Sequence, residues 1–257
     1  MSSETVSLTI DGRTATISIN HPPLNVLTIA VREALSSVIG ELEARDDIAV
    51  VVIESALPSA FSVGSNVHEF PRDEAGGLAK IRFEQRLYDR IAALAPVTIG
   101  KARGLILGGG AELMLACDLR VASVDGEIGF PEIRLGALPA AGGMKRLLRE
   151  LGPARARDMV LRGRRLTTTR AAEIGLLTEA VPAEALDRVV AEIVAELLAL
   201  PSVAMTQAKR AFNAMQTGGD ANAIEAAAFG ALFRAPDLAE GLSAFVEKRL
   251  PQFNHKR

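Results

Sequence analysis

The sequence contains no tryptophan, one tyrosine and one cysteine among its 257 residues. Its only cysteine, Cys117, cannot form a disulfide within the chain, which excludes the disulfide-stapled class of small secreted proteins. Neither sign of charge dominates, because 29 Lys and Arg oppose 31 Asp and Glu for a formal net charge of −2. Without a net positive charge, non-specific attraction to phosphate backbones or anionic lipids is weak. We therefore expect neither nucleic acid nor a membrane as a partner.

Long apolar runs are also missing, since no uncharged apolar stretch reaches the roughly 18 residues that a membrane-spanning helix needs. The first residues, MSSETVSLTIDGR, lack the basic and apolar regions of a secretory signal. Cys117 lies in the apolar run LMLAC, which is typical of a buried small hydrophobic residue. Together these features predict a cytoplasmic protein.

What is present is an alternation of strand and helix patterns. The runs VSLTI and TATISI flank the turn signal DGR and predict a hairpin over residues 6–19. Helical spacing follows from Thr28 to about Arg45, and the continuous apolar run at 48–54 predicts a strand buried on both faces. The alternation then continues to about residue 135, which indicates an α/β fold. Beyond it we predict only helices, over residues 142–151, 153–162, 168–175, 183–199, 202–216, 220–233 and 237–248.

The stretch GLILGGGAEL places Gly108, Gly109 and Gly110 between a predicted strand and a predicted helix, with Glu112 next. Backbone N–H groups at a helix start have no partner in the helix, and bare glycines let a negatively charged oxygen approach them. Tight packing of helix on strand explains a glycine run equally well. The spacing does not match the dinucleotide-binding pattern G-x-G-x-x-G. The glycines alone leave both interpretations open.

Two further loops carry polar groups at predicted strand ends. SAFSVGSNVHEF follows the strand at 48–54 and contains Gly64 and Ser65, and GFPEIRLGALPAAGG contains Glu132. Strand-to-helix turns of an α/β sheet gather at one edge, where ligands bind. Taken alone, Glu132 is equally explained as a solvated turn carboxylate, and Glu112 as a charge that favours the start of its helix.

Taken together, these segments resemble the enoyl-CoA hydratase/isomerase, or crotonase, superfamily. The resemblance runs from Val6 to Phe253 and includes NHPPLNVL, SAFSVGSNVHEF, GLILGGGAELMLACDLRVAS, GFPEIRLGALPAAGG and EGLSAFVEKRLPQF. It implies an α/β fold built as a crotonase-type spiral of β-β-α turns, with a helical C-terminal trimerisation region. The implied division is a spiral core over residues 1–195 and a helical region over 196–257. The implied assembly is a homotrimer or a hexamer made of two trimers.

The resemblance also implies a chemistry. Members of the superfamily bind acyl-CoA thioesters and hold the thioester oxygen with two backbone N–H groups, here those of Ser65 and Gly109, as it becomes an enolate. On this view Gly109 is bare so that its amide can reach the oxygen. Hydratases of the family use two glutamates, and Glu112 and Glu132 occupy both places. Glu112 would accept a proton from the water that attacks Cβ, and Glu132 would deliver one to Cα.

Coenzyme A is then part of the substrate, and neither another cofactor nor a metal is implied. The usual alanine and aspartate of the first oxyanion loop are replaced by Ser65 and Asn66, and His68 stands where lysine is common. Many hydratases carry glycine at the position of Ala140, so its methyl group would narrow the acyl pocket. The residues implied in substrate binding are Leu24, Val63, Val67, Gly108, Ala140, Phe245 and Lys248.

Three functions remain open on these residues. The first is hydration of a 2-enoyl-CoA, or the reverse dehydration, which the retained glutamate pair favours. The second is another CoA-enolate reaction, such as double-bond isomerisation or decarboxylation. The third is a catalytically weak scaffold that binds acyl-CoA or RNA, since a fold does not determine a function. The near-neutral charge is unfavourable to RNA.

Overall fold

The computed structural model describes residues 5–253, and its largest sheet has six strands. The first two strands form the predicted hairpin, with Val6 opposite Ile19 in antiparallel register. Every other neighbouring pair in this sheet is parallel. The strands, in their order across the sheet, are β1 (Val6–Asp11), β2 (Thr14–Ile19), β4 (Val50–Ser55), β7 (Val97–Ala102), β9 (Leu119–Ser123) and β12 (Glu179–Val181).

A second sheet has four strands, three of which directly follow a strand of the large sheet in the chain. Its order is β11 (Arg165–Thr167), β10 (Glu127–Gly129), β8 (Leu105–Leu107) and β5 (Ala60–Ser62). A third, two-stranded sheet pairs β3 (Val26–Leu27) in parallel with β6 (Gly64–Ser65). After the first hairpin, strands that follow each other without an intervening helix therefore enter different sheets, which confirms the predicted spiral of β-β-α turns.

Nine α-helices connect or cover these sheets within the described range. Side chains cap the N-termini of several of them, for example Thr28 at α1 (Ile29–Glu43) and Asp73 at α2 (Glu74–Ala93). The predicted break after residue 151 is confirmed, because Gly152 is non-helical (φ 71°) and precedes Pro153. The helices are α1 (Ile29–Glu43), α2 (Glu74–Ala93), α3 (Gly109–Met114), α4 (Gly143–Leu161), α5 (Thr168–Glu173), α6 (Leu186–Leu198), α7 (Ser202–Met215), α8 (Ala221–Leu232) and α9 (Pro236–Glu247).

The hydrophobic core lies on both faces of the large sheet. Val51 and Ile53 of β4 pack into one layer, while Val50 and Val52 pack into another that includes residues of α6. This confirms the prediction that the run at 48–54 is buried on both faces, because alternate side chains of a strand point to opposite sides.

The prediction of an all-helical chain after residue 135 is wrong. β11 pairs with β10, and β12 extends the large sheet beside β9. Each has only three residues, too few to show a two-residue periodicity, so their strand conformation depends on their partners. The implied division after residue 195 falls inside α6 and stays a prediction.

The described part of the chain has no single helix that is long and apolar enough to cross a membrane. Two neighbouring helical segments, Ala183–Leu198 and Ser202–Met215, reach the required length and composition only as a pair bent by 105°.

Candidate active site

The two segments predicted to form the oxyanion hole lie against each other. β6 carries Gly64 and Ser65, and the first residue of α3 is Gly109. A Cβ atom placed on Gly64 would come within 2.8 Å of the Gly109 nitrogen. The amides of the first helical turn have no acceptor within their helix. Two strand ends that are far apart in sequence therefore bring the predicted donors to one place.

The protein's own backbone and packing require glycine at Gly108 and Gly110, the neighbours of Gly109. Gly108 has a φ of 53°, a region that L side chains rarely adopt, and a Cβ on Gly110 would overlap the Ser62 carbonyl oxygen. A Cβ on Gly109 would have its nearest neighbours at 3.6 Å, an ordinary contact distance. Backbone conformation and packing therefore impose glycine at Gly108 and Gly110, whereas the expectation that Gly109 is bare so that its amide can reach the thioester oxygen stays a prediction.

Glu112 is buried in the first turn of α3, with 4% of the residue exposed. Its Oε1 accepts a hydrogen bond from the Gly143 N–H at 2.8 Å, at the start of α4. Burial raises the pKa of Glu112 to about 8, and the nearby charges of Glu132 and Glu84 act in the same direction. Its carboxyl group therefore does more than favour its own helix start, since it joins α3 to α4 inside the protein.

Glu132 belongs to the short 3₁₀ helix Pro131–Leu135 that follows β10. Both carboxylate oxygens are buried and have no hydrogen-bond partner among the described residues. A Cβ on Gly108 would lie 3.1 Å from Oε1, so this carboxyl group packs against bare main chain. Burial raises the pKa of Glu132 to about 7. A buried carboxyl group without a protein partner is unusual and is more typical of a reaction site than of a structural one.

A cavity of about 150 Å³ contains both glutamates together with Ser65 and Gly109. Of the other residues implied in substrate binding, Val63, Val67 and Gly108 also line it. The two carboxyl groups with raised pKa therefore face the same small space as the predicted oxyanion donors. Burial raises both pKa values, to about 7 and about 8, and so brings the titration of this neighbouring pair close to neutral pH.

Four other implied binding residues do not line this cavity within the described part of the single chain. Leu24 supports the loop from behind, where its carbonyl accepts the Val63 N–H at 3.2 Å. The carbonyl of Ala140 accepts a hydrogen bond from Gln85 Nε2 at 2.8 Å. Phe245 is 85% exposed on α9, and Lys248 follows at the end of that helix.

The departures in the first oxyanion loop have structural consequences. Asn66 Oδ1 accepts the His68 N–H at 3.1 Å and so caps the 3₁₀ helix Val67–Glu69. An amide oxygen therefore anchors the loop without a charge. His68 itself is exposed.

Sequence reasoning missed a buried charged group next to this cavity. Arg32 is only 3% exposed, and its Nε lies 3.1 Å from Glu84 Oε1 in α2. Lys80 contacts the same oxygen at 2.5 Å, and both Lys80 and Glu84 line the cavity. A signal was available, because Arg32 shares the spacing of Leu35 and Ile39 on the apolar face of α1. A charged residue on such a face is buried and must be paired.

The raised pKa of Glu112 predicts a pH-dependent effect on stability. Between the ordinary value of 4.5 and the folded value of about 8, the folded protein holds a proton that the unfolded chain releases. The stability that this group contributes is therefore complete below about pH 4.5 and is lost as the pH rises through about 8. Because glutamine does not titrate, we expect Glu112→Gln to gain melting temperature relative to wild type as the pH rises. Thermal unfolding at about pH 5 and about pH 9 measures this.

The control for that experiment is Glu127→Gln, since Glu127 lies near the site in β10 but its side chain is 46% exposed. The difference in melting temperature between Glu127→Gln and wild type should change little between the two pH values. A constant difference between Glu112→Gln and wild type would show that folding does not raise the pKa of Glu112.

Among residues 5–253, no group of three or more His, Cys, Asp or Glu side chains is arranged to hold a metal ion.

Comparison with known proteins shows similarity along almost the whole chain. The pattern that defines the family described as enoyl-CoA hydratase/isomerase matches residues 9–256. A relative from Mycobacterium bovis named probable enoyl-CoA hydratase is 33% identical over 268 residues, with 100% of both chains covered. A short-chain-enoyl-CoA hydratase from Clostridium acetobutylicum is 31% identical and covers 95% of each chain. The crystal structure of an enoyl-CoA hydratase from Bacillus anthracis superposes with a TM-score of 0.91 at 29% identity, covering 98% of this chain and 100% of the other.

Proposed function

The chain belongs to the enoyl-CoA hydratase/isomerase family, and from that premise we propose that it adds water to 2-enoyl-CoA thioesters to form 3-hydroxyacyl-CoA, or catalyses the reverse dehydration. The observation that carries this proposal is the pair of buried glutamates, both with raised pKa, in one cavity. An isomerase needs only one group to move a proton between carbons, whereas addition of water uses one group as a base and another as an acid.

In the proposed mechanism the N–H groups of Ser65 and Gly109 donate hydrogen bonds to the thioester oxygen. Negative charge develops on that oxygen when water attacks Cβ, and donors already in place stabilise it. Ionised Glu112 removes a proton from the attacking water. In the proposed starting state the two carboxyl groups share one proton, which Glu132 holds, and the N–H groups of Gly143 and Ala141 stabilise the ionised form of Glu112.

Glu132 then delivers its proton to Cα of the enolate, which restores the thioester carbonyl. The two buried oxygens of Glu132 are available for this step because no described side chain or backbone group bonds to them. Each turnover returns the pair to one proton, since Glu112 gains the proton that Glu132 loses and the two equilibrate through water. The reaction requires no cofactor beyond the CoA of the substrate.

Cavity size supports short acyl chains as substrates. The volume of about 150 Å³ lies below the range of about 300–1,000 Å³ typical of pockets for larger ligands. Loss of the enoyl-thioester absorbance, followed over a series of acyl lengths, tests both the reaction and this preference. We expect crotonyl-CoA to react faster than long-chain 2-enoyl-CoA. Conversion of 3-enoyl-CoA to 2-enoyl-CoA, with no hydration, would instead identify an isomerase.

We also propose a trimer or hexamer in solution. Large apolar side chains lie exposed on and after the C-terminal helices, where single chains rarely present so many. Light scattering coupled to size-exclusion chromatography should give a mass of three or six chains. A stable monomer at micromolar concentration would contradict the proposal. The exposed apolar residues are Phe229, Phe233, Leu242, Phe245, Val246 and Leu250.

A further inference from the structure

We propose that Arg32 is a positioning residue that supports the oxyanion hole from behind, holding Ser65 and the adjoining Gly109 main chain in place for the thioester oxygen. This inference rests on the proposed function, since it assigns Ser65 and Gly109 the role of oxyanion donors. Arg32 does not line the cavity within the described structure, so it acts through the residues that do.

The contacts of one guanidinium nitrogen carry the inference. Arg32 Nη2 donates a hydrogen bond to Ser65 Oγ at 2.6 Å. The same nitrogen lies 3.6 Å from the point where a Cβ on Gly109 would be. A single atom therefore bonds to the side chain of one proposed donor residue and lies beside the other.

The other guanidinium nitrogens extend this support to neighbouring elements. Nη1 donates to the carbonyl of Leu27, which pairs with Ser65 in the two-stranded sheet. Nε faces Glu84 of α2 at 3.1 Å. Arg32 thus joins α1, α2 and the strand that ends at the oxyanion hole. Since the planar guanidinium donates in fixed directions, it restricts the orientation of the Ser65 hydroxyl group and of the Leu27 carbonyl group as well as their distances.

The charge of this group also suits a site where an anion forms. Arg32 and Lys80 are two cations that share the single carboxylate of Glu84, and the side chains of Arg32 and Glu84 are 3% and 4% exposed. Burying ions costs free energy, and replacement by apolar side chains is often neutral or stabilising. A buried cluster with one excess positive charge beside the enolate oxygen can repay that cost in the transition state.

Ser65 explains one departure from the family pattern. An alanine at this position would keep the backbone N–H but could not accept a hydrogen bond from Arg32. The serine hydroxyl therefore has a partner that accounts for its presence. The Tyr88 hydroxyl donates a hydrogen bond to the Gly109 carbonyl at 3.1 Å, so the second donor residue is held from α2 as well.

The test compares Arg32→Met, Ser65→Ala and the double variant in the full-length protein with crotonyl-CoA. We expect each single variant to lower kcat by about 10-fold or more while KM changes less than about 3-fold, because a misplaced donor weakens transition-state binding most. The kcat of the double variant should be only slightly lower than that of Arg32→Met, because both substitutions remove the same hydrogen bond between Arg32 and Ser65. Arg32→Lys should recover part of the kcat.

The matched control is Arg120→Met. Arg120 is 7% exposed and pairs with Glu150 at 2.9 Å, but lies outside this cavity. Arg120→Met should lower the melting temperature, because it leaves a partly buried carboxylate without its ion-pair partner. Its kcat should stay within about 3-fold of wild type. Equal kcat losses in Arg32→Met and Arg120→Met, or wild-type kcat in Ser65→Ala, would overturn the proposal. If Arg32→Met does not fold, Ser65→Ala alone decides, because it leaves the guanidinium and its ion pair in place.

A second readout separates this proposal from the reaction itself. Exchange of the Cα hydrogens of butyryl-CoA in D₂O reports enolate formation whether or not water is added to a double bond. If wild-type protein exchanges these hydrogens without hydrating crotonyl-CoA, hydration is wrong and the exchange rates of the variants still test Arg32. If wild-type protein does neither, both proposals are wrong.

Discussion

Glu132→Gln is expected to lower kcat for hydration of crotonyl-CoA by about 10²-fold or more, and Glu112→Gln to do the same, because general acid–base catalysis contributes at least that factor. Glutamine keeps the size of the side chain but cannot take up or release the proton. Binding of a saturated acyl-CoA should stay within a few-fold of wild type, since the proposed oxyanion donors are unchanged. Steady-state hydration and ligand titration measure the two quantities.

The double variant distinguishes two cooperating groups from two independent ones. We expect its loss of kcat to be smaller than the product of the single losses, because residues that act as one unit are not additive. Glu127→Gln serves as the carboxylate control, since its half-exposed side chain lies in β10 and outside the cavity. Normal hydration by Glu132→Gln together with an inactive Glu112→Gln would replace the two-carboxylate mechanism with a one-base reaction.

Gly64→Ala is expected to reduce kcat by about 10²-fold, comparable to the loss of one oxyanion donor. The added Cβ would lie 2.8 Å from the Gly109 nitrogen and 3.0 Å from the Leu107 carbonyl oxygen. Both are backbone atoms at the proposed oxyanion hole, so the main chain itself must move. Hydration rates and thermal unfolding of the same preparation measure the effect on catalysis and on folding.

Gly218→Ala is the matched control, because the two glycines have nearly the same φ, 89° and 88°, and a Cβ on Gly218 would have no atom within 4 Å. Both variants carry the backbone strain of an L residue at positive φ, but only Gly64→Ala displaces the Gly109 amide. Equal losses of melting temperature and unchanged kcat in both variants would remove Gly64 from the support of the oxyanion hole.

Local patterns predicted much of the fold. The hairpin at 6–19, the doubly buried strand near 48–54 and the helix break at Gly152 each follow from turn chemistry, periodicity or backbone conformation. The strands β11 and β12 were missed, because segments of three residues carry no periodic signal and are ordered only by their partners. The first turn of α2, which begins at Glu74, has a weak helical signal because Gly76 and Gly77 are unfavourable in a helix interior.

For the site, motifs identified Ser65, Gly109, Glu112 and Glu132, whose catalytic roles stay predictions. Their residue types and spacing are visible in the sequence, as is the resemblance that relates them to CoA chemistry. The pair of Arg32 and Glu84 was not predicted, because the two residues lie far apart in the sequence and each belongs to an ordinary amphipathic helix. A charged side chain in such a helix is usually solvated. The spacing of Arg32 with apolar residues was a signal of its burial, but the sequence did not identify Glu84 as its partner.

The sequence by itself determined the family, the α/β class and the chemical groups available for catalysis, because these depend on residue identity and on short-range pattern. Only the tertiary structure decided which of those groups share one cavity and that burial raises the pKa of both glutamates. It also decided that backbone conformation requires glycine at Gly108 and that packing requires it at Gly110. These properties depend on distances and on exclusion of water between segments far apart in the chain.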